Sequence, residues 1–328
     1  MAIGSGLGAQ LGIAAEVTYG TFVAPSKFVE FTKFGVQLKK TTAQSAGVAA
    51  GRLQPLSARR VVTQREAQGA VEMEVTNKAM GLWLNTLMGG GGTPTQQGAT
   101  AAYLQTHTLA DVAGKFLTLQ AGIPLTTGTV TDKSFVGCKI ISAEFSCEVG
   151  GMLMATFEID AKNVDEGQTL ASASYPSMSP FHFGQMAVKT GSFGAEAARD
   201  GIRKMSVKFE RPQDVGRFYA GQAGLKKEPI TNDQVKVTGS IEMDYVDTTL
   251  DDLFTSDAAT SLVWEFIGPN IALTHDETFR IKLPAIRFDD APPTVEGFEV
   301  IKPTLSFTGL YDGTNSTSIE YMSTDTAL

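Results

Sequence analysis

Apolar residues recur at every second position along most of this chain, the signature of half-buried strands. Ala70–Val75 (AVEMEV) is the plainest case. The same alternation predicts strands at Phe116–Leu119, Ile140–Cys147, Leu153–Ile159, Met205–Phe209, Val235–Met243, Leu262–Phe266, Phe279–Ile286 and Leu305–Phe307. Helical periodicity is confined to two segments. In Asn77–Met88, the residues Met80, Trp83, Leu84, Leu87 and Met88 share one face, with Asn77 as expected N-cap and Gly89–Gly92 as the stop. Asp247–Ser256 sets Leu250, Leu253 and Phe254 on one face behind Asp247 as cap. Gly150–Gly151, between two strong strands, predicts a type I′ hairpin turn.

The pattern occurs twice. Gly69–Val75 (GAVEMEV) and Gly239–Tyr245 (GSIEMDY) match at an offset of 170 residues, and Phe34–Lys40 matches Met205–Arg211 at an offset of 171. Phe116–Gly122 and Leu262–Gly268 are each a strand ending in glycine, and each half closes on a strand pair, around Cys138–Ala161 and Arg280–Leu310. Four matches in one order point to tandem duplication. The expected organisation is an N-terminal extended arm (1–33), a first β domain (34–163), a linker (164–171) and a second β domain with a C-terminal tail (172–328). The small, polar run Val164–Ser179 carries the linker. The fold class is mainly β: two tandem antiparallel β-sandwich or barrel domains, each with a flanking α-helix.

Composition narrows the function. The chain has 328 residues, 42% hydrophobic and only 19% charged, with 34 glycines. Its net charge of −8 argues against a protein that grips nucleic acid, which needs clustered Lys and Arg. No apolar run approaches the ~18 residues of a membrane span, and no signal-peptide pattern opens the chain. Two cysteines, Cys138 and Cys147, are too few for a disulfide framework and read as reduced thiols on opposite sides of a strand. The charge is uneven: residues 1–163 carry 13 Lys and Arg against 11 Asp and Glu (net +2), and residues 164–328 carry 14 against 24 (net −10).

No catalytic constellation is present. His107, His182 and His275 are isolated, with no Cys or His at metal-ligand spacing. There is no G-x-S-x-G elbow and no P-loop, and Gly4-Ser-Gly6-Leu-Gly8 follows no strand. The carboxylate pairs Asp251-Asp252 and Asp289-Asp290 could suggest calcium or glycosidase chemistry, but beside turns such acids are usually solvated. No cofactor is expected, and the chain reads as a non-enzyme.

Two long loops stand out instead. Thr41–Arg65 carries Arg52, Arg59, Arg60 and Arg65, and its counterpart Pro212–Gln234 carries Arg217, Phe218 and Tyr219. Long loops in compact domains are usually functional, and Arg with aromatics is the composition of interface anchors. Disordered surface loops are the bland alternative.

Leu11-Gly-Ile-Ala-Ala-Glu-Val-Thr-Tyr-Gly-Thr21, followed by Pro25-Ser-Lys-Phe28, resembles the start of the tail tube proteins of long-tailed bacteriophages. The resemblance implies a β-sandwich with a flanking helix, and stacked rings whose joined strands line a conduit for DNA. It implies a virion protein, in the host cytoplasm before assembly, without a membrane role. Partners would be the chain itself, the tape measure protein and the tail terminator and tip proteins, with DNA passing through the lumen without specific binding. With two repeats per chain, three copies would give a pseudo-sixfold ring, a true hexamer being the alternative. Tyr19 and Phe22 join the arginine and aromatic residues above as expected inter-subunit or inter-ring contacts. Residues 1–33 and the long loops are expected to order on assembly, so a chain lacking residues 1–20 should fold yet form no tubes. A tandem β-sandwich adhesion or carbohydrate-binding protein of a virion is the alternative, and an enzyme on a β-sandwich scaffold a third reading.

Overall fold

Alternating strands fill most of the chain. A computed structural model describes residues 3–4, 6–125, 127–289 and 297–328. The first half runs β1 (Gln10–Ala15), β2 (Lys27–Val29), β3 (Lys33–Phe34), β4 (Gln37–Gln44), β5 (Arg60–Glu74), α1 (Gly81–Met88), β6 (Gly89–Gly91), β7 (Thr95–Gln96), β8 (Tyr103–Leu109), β9 (Leu117–Pro124), β10 (Val130–Glu148), β11 (Met154–Ala161) and β12 (Asn163–Asp165). The second half runs β13 (Met186–Gly191), β14 (Ala197–Ala198), β15 (Ile202–Glu210), β16 (Gln213–Asp214), β17 (Ile230–Thr231), β18 (Lys236–Met243), α2 (Thr249–Thr255), β19 (Thr260–Ala272), β20 (His275–Phe288), β21 (Thr304–Leu310) and β22 (Ser318–Ser323).

The two halves repeat one ladder. Neighbouring strands in the first run β1–β9–β10–β11–β5–β4, and in the second β13–β19–β20–β21–β18–β15. Register follows the sequence match: Phe34 faces Val71 as Met205 faces Ile241. Gly69 faces Ile159 as Gly239 faces Phe307. These glycines open the repeated motif because the sheet is tight there. A Cβ on Gly69 would meet Gly35 O at 2.2 Å, and one on Gly239 would meet Phe307 Cζ at 2.3 Å.

The halves do not stand apart. β10 pairs along Ser142–Glu148 with β15, and β22 lies between β20 and β8, so strands of both halves share one barrel-like sheet. Only β16 and β17 form a separate ribbon among the described residues. One hydrophobic core runs through both halves, with Phe145 touching Phe157 of the first and Phe209 and Phe279 of the second at centroid distances of 6.0, 6.1 and 5.4 Å.

Several local expectations change. Helix α1 begins at Gly81 rather than Asn77, because Ala79 sits at φ 64° and breaks the helical path. Asn77 clamps the halves instead: it accepts from Ser179 N at 2.8 Å and donates to Glu277 at 2.6 Å. α2 starts at Thr249 behind Thr248, and Asp247 still accepts from Thr249 N at 2.8 Å. The Gly150 turn has positive φ at that residue and not at Val149, the type II arrangement rather than type I′. The stretch Thr41–Arg65 is mostly a hairpin, since β4 continues to Gln44 and β5 begins at Arg60. The residues expected as an arm include β1, which pairs in register with β9 and buries Leu11 and Ile13. Removing residues 1–20 would therefore take out a core strand, so the folded truncation expected from sequence is corrected to one ending before Gln10.

Candidate assembly interface

Where the halves meet, the chain displays how one repeat grips the next. Behind the β10–β15 ladder, the 212–234 segment of the second half lies on the first half and places buried charges there. The Lys226 side chain is fully buried and donates to Asp160 at 2.5 Å and Glu66 at 3.0 Å. Burial pushes the Asp160 carboxyl up and the nearby Lys226 ammonium opposes it. Lys139, also buried, pairs with Glu228 at 2.6 Å and donates to Val112 O at 2.8 Å, while Glu228 accepts from Gly114 N at 2.8 Å. Burial pulls the Lys139 ammonium below its ordinary value, against the pull of Glu228. Arg211, at the end of β15, donates to Met88 O at the end of α1 and to Ala110 O. Its guanidinium is lowered by burial to about 10. Carbonyls at a helix C-terminus attract cations, which explains that seat. None of these partners was singled out from sequence. Lys226 and Asp160 are 66 residues apart, and no local pattern marks a lysine as buried.

The equivalent parts of the first half are exposed. Among the described strands β4 pairs only with β5, and every β4 residue but Leu38 is exposed. Arg52, Arg59 and Arg60 ring the exposed hairpin tip, with Val48 and Leu53 fully exposed beside them. Arg60 donates to Thr42 Oγ1 at 3.3 Å and otherwise the tip faces solvent. No Asp or Glu occurs between Thr41 and Arg65, so the hairpin is wholly cationic. On the second-half loop, Arg217 donates to Glu228 O at 2.5 Å and lies 5.8 Å from the Tyr219 ring centre. Phe218 bridges to Lys226 and is half-buried, while Tyr219 is exposed.

The segment that opens the resemblance forms a buried staple. Glu16 accepts from Gly20 N at 2.8 Å, Thr118 Oγ1 at 2.9 Å and Gly137 N at 2.8 Å, joining β1 to β9 and β10. Burial raises the Glu16 carboxyl against these hydrogen bonds. Tyr19 turns inward, edge-on to Phe116 at 5.4 Å with the Lys162 ammonium 5.3 Å from its ring centre. Gly20, at φ 72°, lies where a side chain would strike Lys162. The spacing Glu-x-x-Tyr-Gly thus encodes a turn and its anchor. Phe22 is half-buried beyond it.

The remaining candidates gather no chemistry. His107 is buried 3.3 Å from Gln105, and His182 caps the 3-10 turn Phe183–Gln185. Asp289 accepts from Thr308 Oγ1, and Asp290 lies outside the described residues. Asp252 accepts from Thr248 Oγ1 at 2.9 Å. Among the described residues no group of His, Cys, Asp and Glu is arranged to hold a metal, and no helix is long and apolar enough to cross a membrane. Cys138 and Cys147 are free and buried.

The fold thus presents a repeated ladder, interlocked halves and an exposed β4 edge. The family model of the phage tail tube protein matches residues 6–309, and the chain belongs to that family. It is a structural protein of the phage tail, whose family assembles into a tube with other tail proteins. No curated protein matches the chain.

Proposed function

We propose that this protein builds the tail tube as stacked rings of three copies, each copy supplying two repeats, and that the tube conducts DNA into the host. The observation that carries the reading is the β10–β15 ladder, which joins one repeat to the next without a gap in the sheet. A ring made by repeating that join closes every edge, and a closed barrel leaves no strand as a template for aggregation. Three copies then suffice where single-repeat chains need six.

The lumen needs no sequence-specific DNA contact. A net charge of −8 keeps a polyanion from sticking, provided the acidic residues outnumber the basic ones on the inner wall. The tape measure protein is the natural occupant before DNA passes, and terminator and tip proteins close the two ends. The tail is read as non-contractile. The subunit waits in the host cytoplasm until assembly, and the two repeats are taken as 10–163, with β1 added to the first ladder, and 172–328. Arg52, Arg59 and Arg60 on the hairpin tip, and Tyr219 beside Arg217 and Phe218, are the contacts offered to neighbouring rings. Tyr19 packs inward on Phe116 and Lys162, and Phe22 is half-buried beside that turn.

Electron microscopy of the purified protein tests the reading. Rings or tubes with threefold order and six similar lobes are expected; true sixfold order removes the trimer, and monomers that bind glycans without assembling favour the adhesion alternative.

A further inference from the structure

One ion pair differs in kind from the rest. Lys226–Asp160 is the only pair among the described residues with both side chains out of water, at 0% and 1% exposure. It also has a third member, because the Lys226 ammonium donates to Glu66 at 3.0 Å. Lys139, the other buried lysine, pairs with one carboxylate among the described residues, that of the partly exposed Glu228. The fold brings the trio together from separate elements. Asp160 of β11 faces Gln68 of β5, and Glu66 lies two residues earlier on the same face of that strand. Leu225 bridges to Arg65, and Arg65 N donates to Gly224 O at 2.9 Å, which lays Lys226 beside Glu66. Gln68 Nε2 donates to Asp160 Oδ1 at 3.4 Å, while Asp160 Oδ2 accepts no hydrogen bond from the described residues.

We propose that Lys226 and Asp160 condense into an intramolecular isopeptide bond, with Glu66 carrying protons. A proton first passes from Nζ to Asp160 across the 2.5 Å contact, leaving a neutral amine and acid. Nζ then bonds to Cγ, the Cγ–Oδ2 bond breaks, and that oxygen leaves as water. Glu66 takes a proton from the attacking nitrogen and returns it to the departing oxygen. One ammonium and one carboxylate thus become one amide and one water, with no other reactant. Gln68 donates to Oδ1, where negative charge gathers as the nitrogen adds. In bulk water both groups stay charged and the protonated amine does not attack. A dry site favours the neutral forms, and groups held in contact react as if highly concentrated. Burial raises the Asp160 carboxyl, the direction the reaction needs. Freshly folded protein holds the ion pair, and the amide accumulates from it. The bond seals the 212–234 segment of the second half to the first half, however the copies assemble.

Intact-mass measurement of the folded, full-length protein during incubation at neutral pH tests the bond. Wild type should come to weigh one water less than its sequence. Trypsin should then release 218–227, uncut after Lys226, joined to 140–162. That branched peptide separates the bond from dehydration within an aspartate. Lys226→Arg keeps a cation in the pair but offers no primary amine, and should keep the full mass. Glu66→Gln should slow the mass loss at least about tenfold. Wild type that keeps its full mass, or loses water without yielding the branched peptide, overturns the bond. Loss of water from Glu66→Gln at the wild-type rate overturns the part given to Glu66.

Discussion

The ammonium of Lys226 sits 2.5 Å from the Asp160 carboxylate, and neither side chain reaches solvent. One belongs to the second half and the other to the first. Removing one member of a buried pair strands the other charge, which costs about 3–5 kcal/mol. Lys226→Met should therefore lower the urea midpoint sharply, and Lys226→Met with Asp160→Asn should recover most of the loss. If the double variant is no more stable than the single one, the pair is not the source of the effect.

His107 sets an acid limit. Burial holds its imidazole neutral, down from 6.5 to about 4. Between those values the unfolded chain takes up a proton that the folded one refuses. The contribution is complete above pH 6.5 and disappears as pH falls through this window, by about 3 kcal/mol in all. Unfolding midpoints of wild type and His107→Gln should converge by pH 4.5 relative to pH 7; parallel pH profiles would contradict the assignment.

Gly69 and Gly239 should tolerate no side chain. With contacts of 2.2 and 2.3 Å waiting for a Cβ, Gly69→Ala and Gly239→Ala should each destabilise by more than about 2 kcal/mol. Gly128, whose Cβ would meet nothing within 4 Å, is the control for backbone strain alone. Thermal melts of the three variants make the comparison.

Both thiols should be silent in the folded protein. Burial pushes the Cys147 thiol up to about 11 and raises the Cys138 thiol well above its ordinary value, so little thiolate exists at neutral pH. An aromatic disulfide reagent should react with neither cysteine natively and with both in guanidinium chloride.

Truncation separates the terminal residues from the fold. Loss of residues 1–8 should leave the melting temperature within a few degrees of wild type. Loss of residues 1–20 removes β1 and the Glu16 staple, and should yield unfolded or aggregated chain by circular dichroism.

The strands that alternate cleanly were legible, because one face of each meets the core and the other meets water. The missed ones break that rule. β1 (QLGIAA) is buried on both faces, so its apolar run carries no period. β8 (YLQTHTL) buries Gln105 and His107, polar residues at inward positions that break the apolar alternation. β22 does alternate, with Ile319 and Tyr321 inward, yet its distance from the repeats made it resemble a tail. The same limit applies to the interface. Arginines on a long hairpin announce themselves by composition, whereas Lys226, Asp160 and Glu228 acquire their role only when distant strands bring them together. The repeated motif marked matching segments in the two halves, which the ladders hold in matching register, but it carried neither the strand order nor the continuity of the sheet across the halves, since edge pairing leaves no mark in either strand alone.

The position of β22 also sets a timetable. It fills the space between β20 and β8, and the Tyr321 hydroxyl donates to Thr76 O at 3.2 Å. A ribosome delivers β8 long before β22, so the first half emerges with a vacancy in its sheet that only the far end of the second half fills. Until translation ends, the β8 edge therefore lacks the strand that covers it in the finished fold.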